Sequence, residues 1–242
     1  LIFEQLPPTL AISLLAHECT TARMYAESTP EQRERLLPSL FAGTKICCTG
    51  TTEADVGSDP RSVSTRVERE GDELVVTGQK MWITNGGFAD IFIVFAKIDD
   101  DKNLSAFIIE KGFGGIAMNP EEHNMGIKGS STRQVIFTDY PVPVANLLSE
   151  RENGFKIAVN ILNIGRIKLG VAAIGSSRKV LNHAINYSNE RIQFGLPISK
   201  FGAIRYKLAE MATRNFAIES AAYRAGQNID DAYDMLVAEG MD

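Results

Sequence analysis

Two short segments of this chain place hydroxyl, amide and aromatic groups where they could bind a polar, planar ligand. The first is TEADVGSD, from Thr52 to Asp59, a turn-prone run with a Gly57–Ser58 pair whose backbone N–H groups suit an anionic or polar ligand. The second, WITNGG, begins at Trp82 and ends a strand-like run. Because strand side chains alternate between faces, Trp82 and Thr84 are predicted to share a face. An aromatic ring beside a hydroxyl can cover a planar ring and donate a hydrogen bond to its edge.

Both segments resemble segments of a known enzyme family. TEADVGSD and KMWITNGG resemble the flavin-contacting segments of the acyl-CoA dehydrogenase family. Three further runs match in order and spacing: FIIEKGFGGI from Phe107, NMGIKGSSTRQVIF from Asn124 and NERIQFGLPISKFG from Asn189. The run NGFKIAVNILNIGRIKLGVAAIG, from Asn153, is most similar to the very-long-chain branch. The resemblance extends over nearly all of the chain from about Glu31 onward.

The resemblance implies FAD as the cofactor and assigns roles to individual residues. Trp82 would lie against the isoalloxazine ring, with the Thr84 hydroxyl near its reactive nitrogen. The run around Arg191 would reach the pyrophosphate and adenine of FAD, typically in a neighbouring subunit, and the planar fork of an arginine suits a diphosphate. The cofactor-binding residues implied are Thr52, Gly57, Ser58, Trp82, Ile83, Thr84, Arg191, Gln193, Phe194 and Phe201; the substrate-binding residues are Ser58, Asn163 and Arg166.

The loop and the cofactor segment depart from the family pattern in places. Ala54 stands where the family usually has proline, and Val56 where it has a small residue. Gly202 occupies a position that is commonly glutamine, so one hydrogen bond to the cofactor is expected to be missing.

No catalytic residue is assigned within this chain. Some branches carry the catalytic glutamate immediately before Arg166, where this chain has Gly165. Glu150 and Glu152 fall in a connecting turn and are poor candidates. We therefore expect the base beyond Asp242, and we expect this part of the enzyme to be inactive alone.

The activity implied is α,β-dehydrogenation of acyl-CoA thioesters to trans-2-enoyl-CoA, for long chains and within fatty acid β-oxidation. A carboxylate would remove the α-proton while the β-hydrogen leaves as hydride. An electron-transfer flavoprotein is the implied acceptor, and a homo-oligomer, dimer or tetramer, would share the FAD sites. Two alternatives stay open: a flavin-dependent oxidase or monooxygenase of the same fold, and a non-catalytic, dehydrogenase-like scaffold protein.

Each candidate residue also has a plain structural interpretation. The Thr52–Ser58 run could be an ordinary polar turn, and a single tryptophan on a strand often fills a core. Arg191 could be a solvated charge. Arg166 falls on an apolar helix stripe, so it could form a buried ion pair with an acid of the bundle, or line the acyl-CoA channel.

Composition excludes several other classes of function. The 242 residues include 30 acidic and 25 basic side chains in scattered positions, which argues against nucleic acid as the main partner. Three cysteines without CxxC spacing and three isolated histidines indicate reduced thiols and no structural or catalytic metal. No apolar run approaches the ~20 residues of a membrane span. No signal peptide is visible, and a chain that begins at Leu1 and stops in a helical context looks truncated at both ends. We expect a soluble protein, cytoplasmic in a bacterium and in the mitochondrial matrix of a eukaryote.

The patterns that must position these residues predict a multi-domain α and β protein. Residues 1–44 form part of an N-terminal helical domain, residues 45–148 a β-barrel or sandwich, and residues 149–242 the first helices of a four-helix bundle. Thr29 caps a helix with Pro30 at its first position, and Pro38 ends or kinks that helix. Gly71–Asp72 forms a hairpin turn, and IFIVFAKI, from Ile91, reads as a strand buried on both faces.

The last region has helical periodicity in two stretches that Gly195 and Pro197 separate. We expect an antiparallel pair of long helices, each with an apolar stripe. The stripe of the first helix contains Phe155, Val159, Leu162, Arg166, Leu169, Ala173, Val180, Ala184 and Tyr187; that of the second contains Phe201, Ile204, Leu208, Met211, Ile218 and Ala222.

Overall fold

A computed structural model describes residues 2–71 and 73–239, apart from the side chain of residue 164. Asp72, and with it half of the predicted Gly71–Asp72 turn, lies outside the described residues. The helices are α1 (Ile2–Gln5), α2 (Pro8–Glu27), α3 (Pro30–Phe41), α4 (Gly154–Glu190) and α5 (Gly202–Ala238). Short 3₁₀ turns occupy Pro60–Ser62, Lys111–Phe113, Val144–Asn146 and Ile198–Lys200.

Eight of the ten described strands form one sheet. The strands are β1 (Cys47–Gly50), β2 (Arg66–Glu70), β3 (Glu73–Thr84), β4 (Ile91–Ile98), β5 (Ser105–Glu110), β6 (Ile116–Met118), β7 (Thr132–Pro143), β8 (Leu147–Leu148), β9 (Ile192–Gln193) and β10 (Leu196–Pro197). The sheet has the order β6-β7-β3-β2-β4-β5-β8, with β1 paired to β4, while β9 and β10 form a separate hairpin. Strands β2 and β3 form the predicted antiparallel hairpin.

β4 is buried on both faces, as its continuous apolar sequence predicted. Phe92 and Val94 belong to a core shared with β2, β3 and β7, so the sheet folds back on itself in the manner of a sandwich. Ile93 and Phe95 belong to a second core, which also contains residues of α2, α3 and the first turns of α4. β4 and its neighbour β5 therefore have one core on each face.

α3 begins as predicted and ends later than predicted. The Thr29 side chain accepts a hydrogen bond from the Gln32 amide, and the Gln32 side chain accepts one from the Thr29 amide, which forms a complete capping box. Pro38 was predicted to end or kink the helix, but α3 continues to Phe41, so the prediction that it ends there is wrong. Pro38 lacks the amide that would donate to the Glu34 carbonyl, and the helix continues past this one missing bond. At its end, the carbonyls of Pro38 and Ser39 accept hydrogen bonds from the amides of Ala42 and Thr44.

The chain divides into two compact units, 9–165 and 1–8 with 166–242, and the division falls within α4. In the second unit a nearly buried carboxylate, Glu4, accepts hydrogen bonds from Arg178 and Tyr223, and Arg178 also pairs with Glu219. The ion pair that we considered for Arg166 is therefore made by Arg178, whereas Arg166 is exposed.

The apolar stripe predicted for α4 is on the helix but is not buried in this chain. Leu162, Leu169, Val180 and Tyr187 are all exposed, whereas Ile157, Ala158, Ala172 and Ile174 are buried. Periodicity locates a helix, but which side is covered depends on neighbouring elements. The α5 stripe fits better, since all its members except Ile218 are half-buried.

Among the described helices, α4 is also long and apolar enough to cross a membrane, judged by length and composition alone. Arg166 and Lys168 interrupt its apolar stretch, and a single helix of this kind is weak evidence for a membrane span. A core helix of a soluble protein passes the same test.

Candidate ligand-binding site

A cavity of about 550 Å³ lies within the first compact unit, where three segments meet. One wall is the chain from the end of β1 through the following loop, the second is the end of β3, and the third is the start of α4. Its lining residues are Thr49, Thr51, Thr52, Gly57, Ser58, Pro60, Met81, Trp82, Ile83, Phe155, Ala158, Val159, Ile161 and Leu162. The cavity thus has a hydroxyl-rich side, an apolar helical side and no charged lining residue among those described.

The hydroxyl-rich side has unused hydrogen-bonding capacity. The structure records no hydrogen bond for the hydroxyls of Thr52 and Ser58 or for the amides of Gly57 and Ser58 among the described residues. A tight turn presents these groups, because the amide and carbonyl of Glu53 exchange hydrogen bonds with those of Val56, at 2.9 and 3.2 Å. The loop therefore offers donors to a polar ligand.

Trp82 occupies a β-bulge. Between Lys80 and Ile83 the register of β3 against β7 shifts, so that three residue steps on β3 oppose two on β7. Trp82 itself has φ 55°, a left-handed conformation that is costly for a bulky residue. The bulge leaves the indole 56% exposed, so its ring is open to a ligand rather than filling the core.

A buried ion pair lies behind the wall of the cavity. The Nζ of Lys80 is 2.7 Å from Oε1 of Glu53, and their side chains are 0% and 3% exposed. Ser64 and Thr65 each donate two further hydrogen bonds to the same carboxylate, one from the amide and one from the hydroxyl, at 2.6–3.0 Å. We call Glu53 and Lys80 the Glu53–Lys80 pair.

The surroundings of the pair determine its protonation. Burial raises the pKa of Glu53, but the hydrogen bond and charge of Lys80, with the Ser64 and Thr65 donors, outweigh it and lower the pKa from 4.5 to about 2. Burial lowers the pKa of Lys80, against the opposing effect of Glu53. At neutral pH the carboxylate of Glu53 is therefore ionised, and its buried charge is stabilised by Lys80 and by the Ser64 and Thr65 donors.

At the start of α4, Phe155 contributes its ring to the cavity. The guanidinium carbon of Arg61 lies 4.0 Å from the centroid of that ring, which is a cation–π contact. Arg61 follows the lining residue Pro60 directly, so this contact links the loop to the helix.

A second exposed aromatic residue lies in the other compact unit. Phe194 and Gly195 form the two-residue turn of the β9–β10 hairpin, with φ values of 53° and 78°. Positive φ at both positions is the type I′ pattern, which favours asparagine or glycine over phenylalanine. Phe194 is 93% exposed and meets Phe201 edge-on, with ring centroids 6.1 Å apart.

Family profiles match most of the described chain. The profile of the acyl-CoA dehydrogenase middle domain matches residues 48–140, and that of the acyl-CoA dehydrogenase C-terminal domain matches residues 152–239.

The chain belongs to the acyl-CoA dehydrogenase family.

Individual relatives agree with this assignment. A probable acyl-CoA dehydrogenase of Bacillus subtilis is 46% identical over 213 residues, 87% of this chain and 36% of the relative. The human mitochondrial very-long-chain-specific acyl-CoA dehydrogenase is 40% identical over 212 residues, 84% of this chain and 32% of the relative. The chain thus spans about a third of the length of these curated relatives.

Solved structures of family members share the fold. Butyryl-CoA dehydrogenase from Megasphaera elsdenii superposes with a TM-score of 0.87 at 35% identity, covering 99% of this chain and 62% of the other. An acyl-CoA dehydrogenase from Bacillus anthracis complexed with FAD gives 0.78 at 46% identity, covering 81% and 34%.

The cavity brings together half of the residues that the acyl-CoA dehydrogenase resemblance assigned to the cofactor. These are Thr52, Gly57, Ser58, Trp82 and Ile83. Thr84 is half-buried, pairs with Thr132 of β7 and is not among the lining residues. Asn163 and Arg166 are exposed on α4 just after the lining residue Leu162.

The other four cofactor residues, Arg191, Gln193, Phe194 and Phe201, lie in the second unit, around the β9–β10 hairpin and the start of α5.

Sequence reasoning missed Lys80 and the role of Glu53. A signal was present, because Lys80 continues the inward-facing series Leu74, Val76, Gly78 along β3. A lysine at such a position requires a buried acid as its partner. The pattern did not indicate which acid.

Proposed function

We propose that the cavity is the isoalloxazine site of FAD, and that the protein containing this chain dehydrogenates acyl-CoA thioesters. The observation that carries the proposal is the bulge at Trp82. It exposes a flat aromatic face directly beside a loop with unpartnered hydroxyls and amides. An extended ring system with one polar edge requires both features.

The residues present fit a flavin on chemical grounds. The uncharged lining suits a neutral aromatic ring, and the donors of Thr52, Gly57 and Ser58 suit its carbonyl and nitrogen edge. Phe194, held exposed in a strained turn of the second unit, suits a role as a stacking surface for the FAD of a neighbouring subunit.

The chain's own residues would bind and orient the flavin and shield the reacting carbons from water. When bound, the flavin supplies the acceptor for the hydride that leaves the β-carbon. Trp82 would cover one face of the ring, and the loop donors would fix its edge. The apolar residues of α4, Phe155, Val159 and Leu162, would exclude water from the reacting carbons.

The finer parts of the proposal concern substrate and partners. We propose a long acyl chain, use in fatty acid β-oxidation, an electron-transfer flavoprotein as acceptor and a homo-oligomer that shares its FAD sites. Similarity to the very-long-chain enzymes supports the chain length. The solved butyryl-CoA dehydrogenase shows that the same fold also serves a short-chain enzyme.

The test is an anaerobic visible spectrum of the full-length protein that contains this chain. Bound oxidised flavin should bleach on addition of palmitoyl-CoA, and less readily with butyryl-CoA if long chains are preferred. Rapid reoxidation by oxygen with release of hydrogen peroxide would instead identify an oxidase. Bound flavin that no acyl-CoA reduces would favour a scaffold protein, and a protein that binds no flavin would refute the cofactor assignment.

A further inference from the structure

We infer that the Glu53–Lys80 pair is a positioning device that sets the relative placement of the two walls of the flavin site. The inference rests on the proposed function and adds a role for two residues that do not line the cavity. Neither side chain would touch the flavin. They would act through the Thr52–Ser58 loop and the Trp82 bulge.

Glu53 is the point where separate stretches of chain are joined. Its backbone closes the turn that presents Gly57 and Ser58. Its carboxylate accepts four hydrogen bonds from Ser64 and Thr65, which return the chain into β2. The whole excursion from β1 to β2 is thus tied to one carboxylate.

Lys80 connects that carboxylate to β3. Its ammonium group bonds to Oε1 of Glu53 and also donates to the carbonyl of Thr51, at 3.4 Å. Lys80 is the last residue before the register shift that creates the bulge. Trp82 is only two residues further along the chain, so a change in how Lys80 is held reaches Trp82 through the intervening Met81.

β3 is fitted closely around this junction. Gly78 has φ 153°, and a Cβ there would lie 2.5 Å from the Thr65 hydroxyl oxygen, the group that bonds to Glu53. A Cβ on Gly50 would lie 3.2 Å from Cγ of Lys80. The space around the pair is filled on both sides, so the ions cannot adjust freely if one partner is lost.

The charges of the pair matter as well as its shape. All four donors from Ser64 and Thr65, together with Lys80, point at a group that can only accept. A glutamine at position 53 would bring an NH₂ group among these donors, so at least one would lose its acceptor. The loop would then be held less firmly to β3, although the 2.8 Å bond from the Met81 amide to the Thr52 carbonyl and the 3.4 Å bond from Lys80 to the Thr51 carbonyl would remain available.

The experiment compares FAD binding with stability across matched variants. Glu53→Gln leaves the buried charge of Lys80 without its partner, and Lys80→Met leaves that of Glu53 without its partner. The double variant removes both charges and should regain stability relative to the single variants. Leu74→Ala is the control. Leu74 is also buried in β3, but it lies near the opposite end of the strand from Lys80.

A positioning role and a purely structural role of the Glu53–Lys80 pair predict different patterns of FAD affinity across these variants. For a positioning role, FAD dissociation constants rise about tenfold in both single variants and remain raised in the double variant. Leu74→Ala keeps the wild-type constant despite its lost stability. If FAD affinity instead follows stability across all variants, so that the double variant binds FAD as the wild type does, the inference is overturned.

A milder variant keeps the test valid if the single variants do not fold. Thr65→Val removes only the 2.6 Å hydroxyl bond to Glu53 and preserves shape. It should weaken FAD binding roughly threefold, and an unchanged constant would count against the inference.

A second readout separates this inference from the proposed function. Trp82 is the only tryptophan of this chain, so the part of the full-length protein's emission that is lost in Trp82→Phe reports the bulge without any ligand. The emission maximum of the FAD-free protein should shift in Glu53→Gln, and not in Leu74→Ala. Wild-type protein that binds no FAD would refute the proposed function. Emission unchanged in Glu53→Gln would refute the positioning role by itself.

Discussion

The amide of Met81 donates a 2.8 Å hydrogen bond to the carbonyl of Thr52. This bond joins the loop after β1 to the last residues of β3, which are far apart in the chain. It makes the two segments that carry the candidate ligand groups into adjoining walls of one cavity. This part of the site is therefore fixed by a backbone hydrogen bond to the sheet.

Stability in acid should depend on Glu53. Its pKa is lowered from 4.5 to about 2 in the folded state, so the carboxylate contributes stability above pH 4.5. That contribution, up to about 3 kcal/mol, is lost as pH falls from 4.5 towards 2. Glu53→Gln should cost about 3–5 kcal/mol at neutral pH because Lys80 loses its partner.

Urea unfolding of the wild type and of Glu53→Gln at several pH values tests this. The difference in unfolding free energy between them should shrink as pH falls through that window. A difference that stays constant from neutral pH to about pH 2.5 would contradict the assignment.

Loss of the Trp82 ring should affect binding more than folding. Because the indole is 56% exposed, Trp82→Leu should change the free energy of unfolding by less than about 0.5 kcal/mol. The dissociation constant for FAD should rise roughly 2- to 10-fold, the worth of one aromatic stacking contact. Phe113→Leu is the control, since Phe113 is 48% exposed and does not line the cavity. Equal losses of FAD affinity in both variants would argue against a stacking role.

The turn at Phe194 should be more stable with glycine. At φ 53° a residue without Cβ relieves strain, so Phe194→Gly should be about 1 kcal/mol more stable than Phe194→Ala. Thermal unfolding measures the difference. Gly195→Ala, at φ 78°, is the matched variant and should lower stability. If Phe194→Gly and Phe194→Ala unfold at the same temperature, the turn is not strained at this position.

The three cysteines should be unreactive in the folded protein. All are buried, and burial raises the pKa of Cys47 to about 12 and that of Cys48 well above its usual value of 9.0. Since the thiolate is the reacting species, a disulfide reagent such as DTNB should label none of them at neutral pH. In guanidinium chloride all three should react. Rapid labelling of any native thiol would show that this region opens readily.

The sequence predicted features that depend on neighbouring residues along the chain. The continuous apolar run of β4 predicted burial on both faces, and Thr29 with Pro30 predicted the start of α3; both are confirmed. Such features follow from local hydropathy and capping chemistry, which require no knowledge of the partner elements.

Features that arise from pairing between distant segments were not predictable. The bulge at Trp82 follows from how β3 meets β7, and alternation within β3 alone does not indicate an extra residue. The same holds for the identity of the acid that pairs with Lys80, because Glu53 precedes it by 27 residues. On α4, periodicity located the helix but did not show that Leu162 and Leu169 are exposed.

The most direct test of the central claim is titration of the full-length protein with FAD while Trp82 emission is followed. Because Trp82 is the only tryptophan of the described chain, variants at position 82 identify its part of the signal. If the flavin ring lies against this indole, emission should be quenched saturably, with one FAD bound per chain at saturation. Saturable FAD binding without quenching would place the flavin elsewhere. An emission spectrum unchanged by FAD, with no flavin retained, would contradict the account as a whole.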